Sequence, residues 1–464
     1  MRSDVLAVLG LVLSMAVTMH VLLRKRVVGA AIGWIGLAWL APVFGSVLYL
    51  LFGINRVERR ARRLKRKPSQ QMDDTPQPTA AVPEAYAALD LAVRSITGLP
   101  TVAGTAIAVF RNGDEAYPAM LAAIEEARIS VALSSYIFRD DEIGNAFIRA
   151  LMAAKARGAE VRVIIDGIGS GYFRPAAWRH LTRAGIPAGL FMHSALPWRM
   201  PFLNLRSHKK LLIVDGRLAF TGGVNISDGN RLASKPAYPI RDTHFRIEGP
   251  VVEQLVQAFA ADWAFVAGEE LEGERWLPPL APAGGLTARV VTSGPDADIE
   301  KIATVILQAV SCARSSIRLT TPYFLPNELI TNALGLAAAR GIAVDVVIPR
   351  RSDHHFVDYA TRAHVAPLLE SGVRIWLDDP PFDHSKALVI DRCWSFIGSA
   401  NWDSRSFRLN FELNIEVYDE ALAGRLDDFI QSKQAARLTL ADLDARALPV
   451  RLRDAAVRLL LPYL

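Results

Sequence analysis

HKKLLIVDGRLAFTGGVN (residues 208–225) and HSKALVIDRCWSFIGSAN (residues 384–401) repeat one skeleton at two places in a chain of 464 residues. In each, a histidine leads a lysine by two positions, an aspartate by seven and an asparagine by seventeen. The apolar runs LLIV and ALVI between lysine and aspartate read as buried strands, and a second strand follows before the Gly-rich end. Side chains alternate across a strand, so His208 shares a face with Lys210, and His384 with Lys386. Asp215-Gly216 reads as a hairpin turn, with Asp391-Arg392 at the equivalent place. Taken singly, a histidine is more often a satisfied structural residue and a lysine a solvated one. Duplication at identical spacing is what marks these as a site.

The repeat extends outward. AIEEARISVALSSYIF (123–138), a helical run and GAEVRVIID (158–166) are echoed by AVSCARSSIRLTTPYF (309–324), a helical run and GIAVDVVIP (341–349). Helix, β-branched strand ending in an aromatic, helix, glycine stop and strand is βαβ alternation, found twice. A helix is expected around 251–265, and the Pro- and Gly-rich seam LPPLAPAGG (277–285) separates the copies. The expected fold class is α/β: two sandwich halves, 101–276 and 277–464, facing each other across a pseudo-twofold axis with both His–Lys pairs in one pocket.

Two histidines, two lysines and two asparagines make a cationic, donor-rich pocket suited to an anion. No carboxylate cluster accompanies them to hold Mg²⁺ or Zn²⁺, so neither metal nor cofactor is expected. On a phosphodiester, the ammonium and amide groups would neutralise the non-bridging oxygens. One neutral imidazole would attack phosphorus and the other, protonated, would donate to the leaving alkoxide, giving a covalent phosphohistidine. Water or an alcohol then takes the phosphoryl group. His20, His180, His193, His354, His355 and His364 show no metal-ligand spacing, although His354-His355 are candidates to line the pocket.

The chain carries net charge +6, and residues 1–67 hold +10 of it against −4 for the rest. A slightly acidic body is a poor partner for nucleic acid, whereas basic residues beside an apolar stretch suit anionic lipid. Residues 5–23 and 27–52 carry no charge, 19 and 26 residues respectively. About 20 suffice to cross a bilayer as a helix. The expectation is therefore an uncleaved transmembrane hairpin over 1–56, then a basic collar and Pro-rich linker over 57–100. Trp34 and Tyr49 fit interfacial anchoring, whereas Trp39 would lie deep. Basic residues after the second span favour a cytoplasmic body, while Arg24-Lys25-Arg26 in the turn oppose it. LPWRMPFLNLR (196–206) reads as a membrane-facing lip. The run from Val450 to Leu464 is amphipathic, equally able to pack on the body or lie elsewhere. Two cysteines, Cys312 and Cys393, can form neither a disulfide framework nor a zinc cage.

The duplicated H-x-K-x4-D pattern with its following G-[GS]-x-N resembles the phospholipase D superfamily over roughly 101–435. PVFGSVLYLLFGINR (42–56), RDTHFRIEGP (241–250), TPYFLP (321–326) and the C-terminal RDAAVRLLLPYL narrow the resemblance to its bacterial cardiolipin synthases. That resemblance implies transfer of a phosphatidyl group from one phosphatidylglycerol to a second at the bacterial inner membrane, with glycerol released. It implies catalytic roles for His208, Lys210, Asp215, His384, Lys386 and Asp391, and phosphate binding by Asn225 and Asn401. His208 would be the nucleophile and His384 the acid. It further implies that Asp242 and Glu412 orient the imidazoles; the motif aspartates could instead be structural. A membrane-bound phospholipase D that hydrolyses its lipid would use the same residues. A nuclease is disfavoured by the acidic body, and a non-enzymatic scaffold by two complete motifs.

Overall fold

The computed structural model describes residues 2–24, 28–53, 80–171, 175–191, 205–294 and 300–459. The basic collar, most of the Pro-rich linker and all of the lip before Leu205 lie outside them. The chain divides into two compact units, 1–69 and 70–464.

In the first unit, helix Arg2–Arg24 packs against helix Val28–Leu40 and a short helix Pro42–Leu48 that continues as one π turn to Gly53. The uninterrupted second span expected over 27–52 is not what forms. Ala41 leaves helical geometry at φ −137°, ψ 74°, and Pro42 starts a new helix. Proline has no N–H for the helical ladder and its ring crowds the preceding turn. Thirteen residues of helix span only about 20 Å. Among the described residues no helix is long and apolar enough to cross a membrane. The polar side chains here turn inward: Ser14 Oγ donates to the Ala38 carbonyl at 2.6 Å, the Trp39 indole to Thr18 Oγ1 at 3.0 Å, and His20 Nδ1 meets the Tyr49 hydroxyl at 2.6 Å. Val8, Leu9, Leu11, Val12, Met15 and Met19 face outward.

The second unit is built on a mixed sheet. Its first half supplies β1 (Val102–Arg111), β2 (Ser130–Ser135), β3 (Glu160–Asp166), β4 (Ala188–Phe191), β5 (Arg206–Ser207), β6 (Leu211–Val214), β7 (Leu218–Gly222), β8 (Ile240–Arg241) and β9 (Thr243–Glu248). The second half supplies β10 (Leu286–Ser293), β11 (Ser316–Thr320), β12 (Phe324–Leu325), β13 (Ala343–Pro349), β14 (Arg374–Asp378), β15 (Phe382–Asp383), β16 (Ala387–Ile390), β17 (Trp394–Gly398), β18 (Trp402–Asp403), β19 (Asn410–Tyr418) and β20 (Ala436–Leu438). From the centre outward, one half reads β1-β9-β7-β6-β2-β3-β4 and the other β10-β19-β17-β16-β11-β13-β14, with β20 added at the far edge. The order is the same, which is the α/β repeat.

The halves do not merely face each other as separate sandwiches. β1 and β10 pair antiparallel, Val102 opposite Ala288 and Thr105 opposite Leu286, so one ladder runs through both halves. Each would otherwise present an open edge of unpaired backbone groups. Helices Val251–Ala267 and Glu420–Gln431 pack on this central region, with Phe259, Trp263, Leu422 and Leu426 in its core. Residues 84–97, expected within the linker, instead form a turn and a helix whose Tyr86, Leu89 and Val93 are buried against Val291, Ile302 and Ile306 of the second half.

Candidate active site

β2 and β3 run parallel, as do β11 and β13, and both His–Lys motifs lie beyond the carboxyl ends of these pairs. Open α/β sheets place ligands at such ends. Each motif is then tied to the opposite half. β5 adds parallel to β19, and the His208 N–H donates to the Phe411 carbonyl at 2.9 Å. β15 adds parallel to β8, and the His384 N–H donates to the Arg241 carbonyl at 2.7 Å. Each histidine is therefore pinned beside the residue that precedes the other half's acid.

The consequence is a crossed pair of dyads. His208 Nδ1 lies 3.0 Å from Glu412 Oε2, and His384 Nδ1 lies 2.8 Å from Asp242 Oδ2. The imidazole centroids are 6.3 Å apart. Lys210 Nζ donates to the His208 carbonyl at 2.8 Å, and Lys386 Nζ contacts both the carbonyl and Nδ1 of His384. All four side chains and both acids are buried. Lys209, between His208 and Lys210, points away and forms a buried ion pair with Asp262 at 2.8 Å, as strand alternation requires.

Burial sets the electrostatics. It pushes the Asp242 carboxyl up to about 7 and drives the histidines well below their usual value, with Lys210 and Lys386 adding to the downward push on both imidazoles. Burial lowers Lys386 to about 8, and lowers Lys210 together with repulsion from Lys386. Glu412 is raised, again chiefly by burial. A phosphate bound in the pocket would favour the charged form of both lysines.

The halves differ in detail. At Gly223 a Cβ would fall 2.0 Å from Asp242 Oδ1, so that position admits no side chain. Its counterpart Ser399 donates its hydroxyl to Glu412 Oε2 at 2.5 Å, and Asn410 Nδ2 donates to Oε1 at 3.1 Å. Glu412 thus has two side-chain donors besides the imidazole, whereas Asp242 receives the Thr243 N–H at 2.8 Å. Aromatic rings wall the pocket. Tyr136 stands edge-on to His208 at 4.8 Å, with Lys210 Nζ 5.2 Å from its centroid, while Tyr323 and Phe382 lie 6.1 and 6.0 Å from His384. Tyr136 and Tyr323 follow the strands whose aromatic ends the repeat displays, but spacing along the chain does not place their rings in the site. His354 lies 5.6 Å from Tyr323, at the pocket's rim.

Asn225 and Asn401 follow the ends of β7 and β17. Asn225 Oδ1 accepts the Ile137 N–H at 3.2 Å, and the buried Asn401 Oδ1 has no hydrogen-bond partner among the described residues. Asp215 and Asp391 are not brought to the cluster, which corrects the expectation of catalytic roles for them. Each lies at the other end of its motif strand in left-handed backbone, φ 51° and 52°. Asp215 Oδ1 accepts the N–H groups of Ile129 and Ser130 at 2.7 and 2.9 Å; Asp391 accepts those of Arg314, Ser315 and Ser316 at 2.7 to 2.9 Å, and the Tyr86 hydroxyl. They tie the hairpin turn to the start of β2 or β11. Asp391→Ala is expected to lower stability by about 2–3 kcal/mol through lost charge-assisted bonds and left-handed strain. Chemical denaturation checks this, with turnover per folded molecule expected within a few-fold of the parent.

A family model described as "Cardiolipin synthase, PLD-like domain" matches residues 120–263 and 306–433, more than half of the chain. The chain belongs to the cardiolipin synthase family of phospholipase D-like proteins. A cardiolipin synthase of Geobacillus kaustophilus is 34% identical over 95% of this chain and 90% of its own length. The major cardiolipin synthase ClsA of Bacillus subtilis is 31% identical over 100% and 99%. A crystal structure of phosphatidylserine synthase from Haemophilus influenzae shares the fold at TM-score 0.61 and 14% identity, covering 81% of this chain and all of that one. The family's matched segments contain both histidines, both lysines, Asp242 and Glu412.

Proposed function

We propose that this protein is a cardiolipin synthase: it moves a phosphatidyl group from one phosphatidylglycerol to the headgroup hydroxyl of another and releases glycerol. The crossed dyads carry this reading. Neither half holds a histidine with its own acid, so the pocket works only as a composite of both. Lys210, Lys386 and the amides of Asn225 and Asn401 would bind the non-bridging phosphate oxygens. His208 Nε2 forms the bond to phosphorus as the bond to the glycerol oxygen breaks, and His384 gives that oxygen its proton. In the second step His384 takes the proton from the incoming hydroxyl, the new P–O bond forms, and His208 leaves.

The hydrogen bonds of the two acids support this division of roles. Ser399 and Asn410 share out the charge of Glu412, so it orients a neutral His208 without strongly favouring its imidazolium. Asp242 accepts fewer hydrogen bonds, which leaves more of its acceptor capacity for the ring of the proton-donating His384. The N-terminal unit would be the membrane anchor, a helical hairpin in the bacterial inner membrane with the body on the cytoplasmic side. Its outward-facing valines, leucines and methionines, with Ser14, Thr18 and His20 turned inward, support that reading.

The test is incubation of the purified full-length enzyme with phosphatidylglycerol vesicles, without nucleotide or divalent metal. Cardiolipin and glycerol in equal amounts are expected by mass analysis. Phosphatidic acid accumulating without cardiolipin would make water the acceptor and replace transfer by hydrolysis.

A further inference from the structure

The C-terminal helix Leu448–Arg458 is packed the wrong way round for a soluble protein. At roughly 100° per residue, Val450, Asp454 and Val457 fall on one side and Leu448, Leu452, Ala455, Ala456 and Leu459 on the other. The buried side is the one bearing the aspartate. Asp454 is 1% exposed, whereas Leu448, Leu452 and Leu459 are 67%, 61% and 77% exposed. Arg446 holds it so, bonding Asp454 Oδ2 through Nη1 at 2.5 Å and the Arg362 carbonyl through Nη2 at 3.3 Å, while Arg453 Nη2 pairs with Asp454 Oδ1 at 2.7 Å. The Arg453 guanidinium also lies 3.6 Å from the Tyr359 ring centroid, and Arg458 Nη1 donates to the Ala363 carbonyl at 3.1 Å. A leucine stripe left outward against such specific inward contacts needs a cover.

Two observations say what covers it. First, arginines border the stripe, Arg451 and Arg458 on one side and Arg453 on the other; Arg453 and Arg458 are also tied to the body, but Arg451 and Arg453 keep 50% and 45% of their side chains exposed, so positive charge flanks the leucines where lipid headgroups would approach. Second, the helix sits against the pocket wall: Val457 shares a small core with Leu325, Val357 and Ala360, against which Tyr323 packs, and Tyr323 flanks His384. On the adjoining helix His355–His364, Phe356 is likewise 60% exposed.

We propose that the Leu448–Leu459 face docks on the anionic phospholipid surface that supplies the substrate, and holds the His384 side of the pocket against the bilayer. This rests on the lipid-transferase reading, but its test does not depend on turnover. In the full-length protein carrying C312S and C393S, a fluorophore on Leu452→Cys is exposed to quenchers attached to lipid acyl chains or dissolved in water. Vesicles of phosphatidylglycerol and phosphatidylcholine in equal parts should give acyl-chain quenching, and phosphatidylcholine alone much less. Continued access to the aqueous quencher would overturn the proposal. Shielding from both quenchers would also overturn it, because protein, either a second copy or the chain's own N-terminal unit, would then cover the stripe. As a second readout, the double variant L448N/L452N should lose about tenfold in turnover on phosphatidylglycerol vesicles, yet stay within about twofold on monomeric short-chain phosphatidylglycerol. Equal turnover on vesicles, or equal losses on both substrates, would contradict docking by this face.

Discussion

Replacing either His208 or His384 with alanine is expected to lower cardiolipin formation by about 10⁴-fold or more while the protein stays folded. The size follows from the composite pocket. A lone imidazole cannot both attack phosphorus and protonate the departing glycerol, and the crossed dyads leave no spare pair in either half. The fold should tolerate both changes, since what anchors each histidine to the sheet is its backbone N–H, to Phe411 or Arg241, and alanine keeps that bond. The two losses should also differ in kind. A 4-nitrophenyl ester of the phosphatidyl group expels a phenolate that needs no proton, so His384→Ala should recover most of its rate of adduct formation on that ester. His208→Ala should recover none. Near-parent turnover by either variant on phosphatidylglycerol would contradict the shared pocket.

The acids should follow the histidines across the halves. Glu412→Gln is expected to behave like a weakened His208 variant, and Asp242→Asn like a weakened His384 variant, each losing about 10² to 10⁴-fold on phosphatidylglycerol because an amide no longer enforces the tautomer. The activated ester separates them again. Asp242→Asn should be largely rescued and Glu412→Gln should not, although Asp242 lies in the same half as His208. Rescue in the opposite sense would mean that each acid serves the histidine of its own half.

Much of this was legible in the chain. Seventeen-residue spacing, repeated, located both motif strands, and the βαβ echo gave the order of each half. Strand alternation placed Lys210 with His208 and turned Lys209 away. Which acid serves which histidine could not be read, because it depends on β5 crossing to β19 and β15 to β8, two-residue pairings between segments about 200 and 140 positions apart. Asp215 and Asp391 drew attention by their place in the repeat, yet their carboxylates serve turns at the far end of the strand. A motif fixes spacing along the chain, and a strand of four residues is enough to carry its last member out of the pocket. The break at Pro42 was hidden in the same way: the uncharged run is long enough for one continuous helix, and its proline divides it.

In the proposed mechanism one histidine carries the phosphatidyl group while its counterpart, held by an acid from the other half, moves the proton. Acid quenching preserves too little of a phosphohistidine, so the measurement is rapid denaturation at alkaline pH during turnover of labelled phosphatidylglycerol, followed by peptide mass analysis. Label is expected on the peptide containing His208, absent from the one containing His384, and lost in Glu412→Gln. Label on His384 alone, on both histidines equally, or on neither while cardiolipin is still being made would contradict it.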